Sequence, residues 1–189
     1  MGPSALLIID MQNDFVLEGK PLRVAGASAV IPKIQSVLAG FRNRNLPVFH
    51  IVRVHRKDGS DVEIIRRDLF AKAPFAVEGT PGAAVIDELA PRPGEHILKK
   101  TRMSAFTGTE LDLMLRTLGV TTLVVCGIQT PNCIRTTVFD GIAHNYPVVL
   151  VDDATGAASD EIHQANVRDM QNIGVRVVNA ADVSGILTW

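Results

Sequence analysis

The sequence contains few of the residues that mark extracellular, nucleic-acid-binding or metal-binding proteins. Its two cysteines are too few for a disulfide framework, and neither lies in a paired spacing typical of zinc ligation. One Tyr, one Trp and seven Phe offer little surface for stacking nucleic-acid bases. The formal net charge is −1, and its 19 basic and 20 acidic residues are interspersed along the chain. We therefore expect neither a nucleic-acid partner nor an anionic membrane surface.

Long apolar segments are also missing from the N-terminal part of the chain. Asp10 interrupts the first apolar run, and no basic segment precedes that run. These features predict neither a secretion signal nor a membrane span. Because free thiols persist in a reducing compartment, the predicted location is cytoplasmic.

The chain does contain an alternation of strand and helix patterns. With 189 residues, 47% of them hydrophobic, residues 1–189 are predicted to form a single domain. Apolar runs predict strands at 5–9, 48–54, 96–98, 123–126, 148–151 and 175–178. Apolar residues three and four apart predict helices at 28–44, 83–89, 110–118, 133–145 and 160–173, the last between Ser159 and Gly174. This order predicts an α/β fold, a three-layer doubly wound sandwich with a mainly parallel sheet.

Three residues with chemically useful side chains follow apolar runs. Asp10 follows the first, Lys100 follows the third, and Cys133 ends a loop after the fourth. The carboxyl ends of parallel strands meet at one edge of a sheet, so we expect these side chains to converge. A thiol at a helix N-terminus is expected to have a lowered pKa. The alternatives are a buried core cysteine, a carboxylate bound to backbone amides, and a solvated lysine.

Segments 9–15, 100–106 and 127–133 resemble, in this order, the motifs of the isochorismatase-like cysteine hydrolases. That superfamily includes nicotinamidases and amidohydrolases of ureides and carbamoyl compounds. The resemblance implies a triad of Asp10, Lys100 and Cys133. It also implies a cis peptide bond between Ile128 and Gln129, and an oxyanion hole formed by the backbone amides of Gln129 and Cys133. Cys126 is predicted to be buried without a chemical role.

The resemblance also bears on metal and substrate. Metal-containing nicotinamidases carry an Asp-x-His pair, where this sequence has Arg53-Val54-His55 with no second histidine nearby. We therefore predict no metal and no cofactor. Phe15 matches a pocket residue of the family, with core packing as the alternative. The residues predicted to favour a polar, carbonyl-rich substrate are Arg53, His55, Arg102 and Arg135. For two of these, structural alternatives are a contact of His55 with Asp58 or Asp61, and an ion pair between Arg102 and Asp14.

The predicted function is hydrolysis of a carbon–nitrogen bond in a small amide, ureide or carbamoyl compound. Cys133 would form a thioester, Asp10 would transfer the proton, and Lys100 would stabilise both. The alternatives are vinyl-ether hydrolysis of the isochorismatase type, and a catalytically idle family member that acts in protein–protein contact. The irregular connection 56–81 is predicted to wrap the rim of the site or to contact another subunit, and the resemblance implies a homo-oligomer.

Overall fold

The computed structural model describes residues 2–20 and 22–186, and six strands form its sheet. The strands are β1 Ser4–Ile9, β2 Val48–Arg53, β3 His96–Lys100, β4 Thr122–Ile128, β5 Val148–Gly156 and β6 Arg176–Val178. Their order is β3-β2-β1-β4-β5-β6, and every neighbouring pair is parallel. This confirms the predicted α/β fold with a parallel sheet.

Helices cover both faces of this sheet. They are α1 Asn13–Val16, α2 Ala27–Asn43, α3 Arg67–Lys72, α4 Leu111–Thr117, α5 Arg135–Ala143 and α6 Asp160–Asn172. Alternate residues of β1 enter different cores. Leu6 and Ile8 pack in the core that contains the buried face of α2, whereas Leu7 and Ile9 pack in the core shared with α4, α5 and α6. Burial on both faces explains why the central strands are continuous apolar runs.

Helix α6 begins and ends where the sequence predicted. The Ser159 side chain accepts a hydrogen bond from the Ile162 N–H at 3.3 Å, and Asp160 and Glu161 occupy the first turn. Both features stabilise a helix N-terminus. Gly174 follows the helix with φ 98°, a left-handed conformation that glycine adopts at little cost.

Three segments differ from the prediction. The helix predicted at 83–89 is wrong, since this region holds two 3-10 turns, Pro81–Ala83 and Asp87–Leu89, separated by a bridge between Gln12 and Val85. The connection 56–81 contains α3, which its mixed composition did not predict. Strand β5 continues to Gly156, because Thr155 and Gly156 resume the pairing with Gly127 and Ile128 of β4 after a register shift.

The strand order reverses between β1 and β4: β2 and β3 lie on one side of this pair, and β5 and β6 lie on the other. Crossovers lead away from this pair on both sides, which leaves a crevice at the carboxyl ends of the two strands. The strands approach closely there: Gly127 has φ 110°, and a Cβ atom at this position would clash with the Ile9 carbonyl. Within the described ranges, no helix has the length and apolar composition needed to cross a membrane.

Candidate active site

The predicted carboxylate and ammonium meet at the carboxyl edge of the sheet. Asp10 directly follows β1, and Lys100 is the last residue of β3. Strand β2 lies between β1 and β3, so the Lys100 side chain reaches across it. Its Nζ donates hydrogen bonds to Asp10 Oδ2 at 2.9 Å and to the Arg102 carbonyl at 3.2 Å. Lys99 points the other way and pairs with Glu78 in solvent.

Burial makes this ion pair costly to break. The side chains of Lys100 and Asp10 are 0% and 6% exposed. Asp10 Oδ1 is also buried, and among the described residues it has no conventional hydrogen-bond partner. Removing either charge would leave the other without a partner away from water. One oxygen of Asp10 is therefore fixed by Lys100, while the other is available to the crevice.

Cys133 lies on a short π-helical turn, Thr130–Ile134, that joins β4 to α5. Burial raises the pKa of its thiol, and the negative charge of Asp10 raises it further. Lys100 and Arg53 act in the opposite direction but do not reverse the shift. The lowered pKa predicted from the helix N-terminus is therefore wrong, because desolvation outweighs it. A protonated thiol beside Asp10 needs a base to become a nucleophile, and Asp10 is placed to serve.

Arg53 brings a second buried cation to the thiol. Its Nη2 lies 3.7 Å from Cys133 Sγ, and its Nη1 donates to Glu63 Oε1 at 2.8 Å and to the Thr101 carbonyl at 3.1 Å. Burial opposes the charge, but the negative groups around it raise the pKa of Arg53 above its ordinary value. Gln12 holds the backbone, since its side chain accepts from the Arg53 N–H at 2.7 Å and donates to the Arg53 carbonyl at 2.8 Å.

A cavity of about 30 Å³ lies between these groups. Its lining residues are Asp10, Phe15, Val24, Arg53, Arg66, Ile128, Gln129, Asn132 and Cys133. Such a volume has room for roughly two water molecules. It contains the thiol, the carboxylate and, of the predicted substrate-binding residues, Phe15 and Arg53. Arg66 and Asn132 were not predicted, and no periodicity marks the connection that carries Arg66.

The other predicted substrate-binding residues lie elsewhere. His55 is buried, packs edge-on against Phe70 and Phe75, and has Nδ1 3.3 Å from Asp61 Oδ1. Burial and the nearby Arg53 lower the pKa of His55.

Arg102 and Arg135 have other partners. Arg102 is exposed and donates to the Asp61 carbonyl at 2.7 Å, not to Asp14. Arg135 pairs with Asp169, which links α5 to α6. None of His55, Arg102 and Arg135 is among the residues that line the cavity.

The turn that carries Gln129 and Cys133 is anchored behind the cavity. The peptide bond between Ile128 and Gln129 is cis, as the resemblance implied. Thr130 donates through its hydroxyl to the Gly156 carbonyl at 3.0 Å, and this hydroxyl lies 2.9 Å from His163 Nδ1. His163 Nε2 lies 2.9 Å from Asp152 Oδ1. The turn is thereby fixed to β5 and α6.

The residues near His55 do not fit a divalent cation. In the described ranges, no three His, Cys, Asp or Glu side chains are grouped closely enough to hold one. Arg53, a fixed positive charge, would repel a cation at the mouth of this region. The absence of a bound metal stays a prediction.

Comparison with known proteins gives close likenesses over nearly the full chain. The family model described as "Isochorismatase domain" matches residues 4–182. A protein of Arabidopsis thaliana named "probable inactive nicotinamidase" is 46% identical over 177 residues, covering 92% of this chain and 90% of that protein. The maleamate amidohydrolase of Pseudomonas putida is 32% identical over 182 residues, covering 94% and 84%. The crystal structure of an isochorismatase family protein from Desulfovibrio vulgaris superposes with a TM-score of 0.95 at 46% identity, covering 98% of both chains.

Proposed function

Because the chain belongs to the isochorismatase family of hydrolases, which has amidohydrolase members, we propose that it cleaves a carbon–nitrogen bond of a small amide, ureide or carbamoyl compound. The reaction would pass through a thioester at Cys133. The observation that carries the proposal is the buried Asp10–Lys100 pair, 2.9 Å between Nζ and Oδ2, in which Asp10 lines the same cavity as Cys133. This arrangement of nucleophile, base and orienting cation is the pattern of an activated nucleophile.

The first half of the proposed reaction forms the thioester. Asp10 takes the thiol proton, and Cys133 Sγ attacks the substrate carbonyl carbon. The two nearby cations, Lys100 and Arg53, stabilise the thiolate as it forms. Backbone amides of Gln129 and Cys133 would hold the oxyanion. The carbon–nitrogen bond then breaks, and the leaving nitrogen takes the proton from Asp10.

The second half releases the acid. Water enters where the amine left, and Asp10 takes one of its protons as the oxygen attacks the thioester carbonyl. The carbon–sulfur bond breaks, and the thiolate regains its proton from Asp10. Burial favours this cycle because the raised thiol pKa returns the proton to sulfur between turnovers.

The proposal also covers the domain organisation, compartment, cofactor requirement and oligomeric state of the enzyme. It would act as a single domain in the cytoplasm, where Cys126 and Cys133 both stay free thiols, as they are in the structure. It needs no cofactor for this reaction. A homo-oligomer remains a prediction, for which sedimentation velocity is the measurement.

A screen of ammonia release across small amides, ureides and carbamoyl compounds tests the activity. Cys133→Ala is expected to abolish release, because Cys133 lines the cavity and Cys126 does not. Cys126→Ala is the matched control: Cys126 is fully buried in β4, and burial raises its pKa. It should retain the rate. Full ammonia release by Cys133→Ala would exclude the thioester.

The idle-member alternative makes a different prediction. The Arabidopsis relative is named for lack of nicotinamidase activity, so nicotinamide belongs in the screen. An active site should let iodoacetamide label Cys133 faster than Cys126 at neutral pH. No ammonia from any compound, together with equally slow labelling of both cysteines, would favour an idle protein.

A further inference from the structure

Arg66 lines the reaction cavity without a partner for its charge. The side chain is half-buried beside Asp10, Arg53 and Cys133. Across residues 2–20 and 22–186, no carboxylate forms an ion pair with its guanidinium, and no acceptor takes a hydrogen bond from it. The guanidinium lies over the Phe75 ring, with Cζ 5.7 Å from the ring centroid. Its five N–H donors therefore have no acceptor among the described residues.

The other charges around the cavity cancel. Lys100 pairs with Asp10 at 2.9 Å, and Arg53 pairs with Glu63 at 2.8 Å. Glu63 feels Arg66 as well, since Arg66 contributes to lowering the pKa of Glu63, but less than Arg53 does. With a protonated thiol, the cavity thus carries one uncompensated positive charge, that of Arg66. Asp10, Arg53 and Cys133 are buried beside it, so an anion that entered would gain from this charge.

From this charge and its place we infer that Arg66 binds a carboxylate of the substrate. The preferred substrate would be a short monoanion with a carboxylate at one end and the scissile amide or carbamoyl carbonyl at the other. Arg66 would fix the carboxylate through paired N–H donors, as guanidinium groups do. The carbonyl would then face Cys133 Sγ on the opposite side of a cavity of about 30 Å³.

The position of Arg66 lets it adapt to such a substrate. It ends the 3-10 turn Ile64–Arg66, whose two isoleucines are 79% and 87% exposed. The turn therefore lies at the surface, and the long arginine side chain can move outward to admit a ligand larger than the cavity. Arg53 lacks this freedom because Glu63 and the Thr101 carbonyl hold it. Arg66 rather than Arg53 is thus the specificity-determining cation.

This inference rests on the proposed hydrolysis, so its test measures binding apart from turnover. The Cys133→Ala variant would be titrated by calorimetry with malonamate, succinamate and glutaramate, each against its neutral diamide. At least one monoanion should bind about 10-fold or more tightly than its diamide, as expected for one charge-assisted contact. With Arg66→Gln added, the affinities for the monoanion and its diamide should differ by no more than about 2-fold. Arg66→Lys in place of Arg66→Gln should keep part of the preference for the monoanion.

The neighbouring Arg67 provides the control. It is exposed and does not line the cavity, so Arg67→Gln in the same background should keep the preference. Equal affinity for anion and diamide in all three pairs, including no detectable binding, overturns the inference. The inference is also overturned if Arg67→Gln reduces the preference for the monoanion as much as Arg66→Gln does.

Turnover of the unmodified enzyme separates the two proposals. Ammonia release without anion preference would leave the hydrolysis standing and remove the role of Arg66. Anion preference in binding without ammonia release from any compound would leave the role of Arg66 standing and remove the hydrolysis. In an active enzyme, Arg66→Gln should raise KM for the monoanion and leave kcat close to that of the parent.

Discussion

At the scale of single residues, Asp10 acts on Cys133 in two opposed ways. Its negative charge raises the thiol pKa and is the largest cause of that shift after burial. The same carboxylate is the group that can remove the proton when substrate is bound. A buried thiol held protonated at rest is protected from oxidation and reacts only where a base is in contact with it. Acidity and reactivity are thus separable at this site.

Asp10→Asn should separate the acidity of the Cys133 thiol from its reactivity in hydrolysis. Loss of the negative charge should lower the pH midpoint for iodoacetamide labelling of Cys133, because Lys100 and Arg53 remain. Hydrolysis should be lost, since asparagine cannot carry the proton. Labelling followed by mass spectrometry against pH, with the exposed Asp58→Asn as control, measures the first effect. An unchanged or higher midpoint would mean that Asp10 does not act on the thiol.

At the scale of elements, the turn before α5 depends on a chain of polar contacts. Thr130 and His163 are buried, and their 2.9 Å contact joins the turn to α6, while Asp152 joins the same histidine to β5. Helix α6 is itself fixed by its Ser159 cap. These contacts place the Gln129 and Cys133 amides relative to the thiol. They touch none of the reacting atoms, so His163 is a positioning residue.

His163→Ala should lower the free energy of unfolding by ~1–3 kcal/mol, since Thr130 and Asp152 each lose a buried partner. It should also lower kcat about 10-fold with little change in KM, because the backbone amides that we propose to hold the oxyanion would lose their alignment. Gln164→Ala, an exposed change on the same helix, is the control. Urea unfolding and initial rates are the measurements. A loss of stability with unchanged kcat would assign His163 to folding alone.

At the scale of the whole molecule, periodicity predicted the strands, and parallel strands predicted that Asp10 and Lys100 share an edge. The contact itself depends on strand order: Lys100 spans β2 to reach Asp10, and no local pattern encodes that order. Arg66 could not be predicted for a related reason. Its place is set by packing of an irregular connection against Phe75, and packing between distant segments leaves no period in the sequence.

The opposite edge of the sheet carries a polar cluster that joins two layers. Glu95 lies just before β3, Arg42 lies in the last turn of α2, and His50 belongs to β2. Arg42 Nε donates to Glu95 Oε1 at 2.6 Å, and His50 Nε2 lies 2.9 Å from Glu95 Oε2. Burial alone would raise the pKa of Glu95, but these partners and the Arg92 N–H lower it to about 2. Burial lowers the pKa of His50, against the influence of Glu95.

These shifts predict how acid unfolds the molecule. A carboxyl whose pKa falls from 4.5 to about 2 on folding stabilises the fold above pH 4.5, and this stability is lost as pH falls toward 2. His50, also lowered, adds a loss that begins below its ordinary value of 6.5. Glu95→Gln should therefore reduce the free energy of unfolding at pH 7 by ~2 kcal/mol. The free energy of unfolding of this variant should also fall less steeply than that of the parent between pH 4.5 and about pH 2.

Urea titrations of the parent and the variant from pH 7 to pH 2 measure this difference. Glu78→Gln is the matched control, because Glu78 and its partner Lys99 have side chains 60% and 62% exposed. An ion pair in solvent contributes little, so this variant should follow the parent curve. If the free energies of unfolding of the parent and Glu95→Gln fall in parallel with pH, groups other than Glu95 cause the acid unfolding. The cluster lies at the amino ends of the strands, away from Cys133, so Glu95→Gln should change stability while the rate of hydrolysis stays that of the parent.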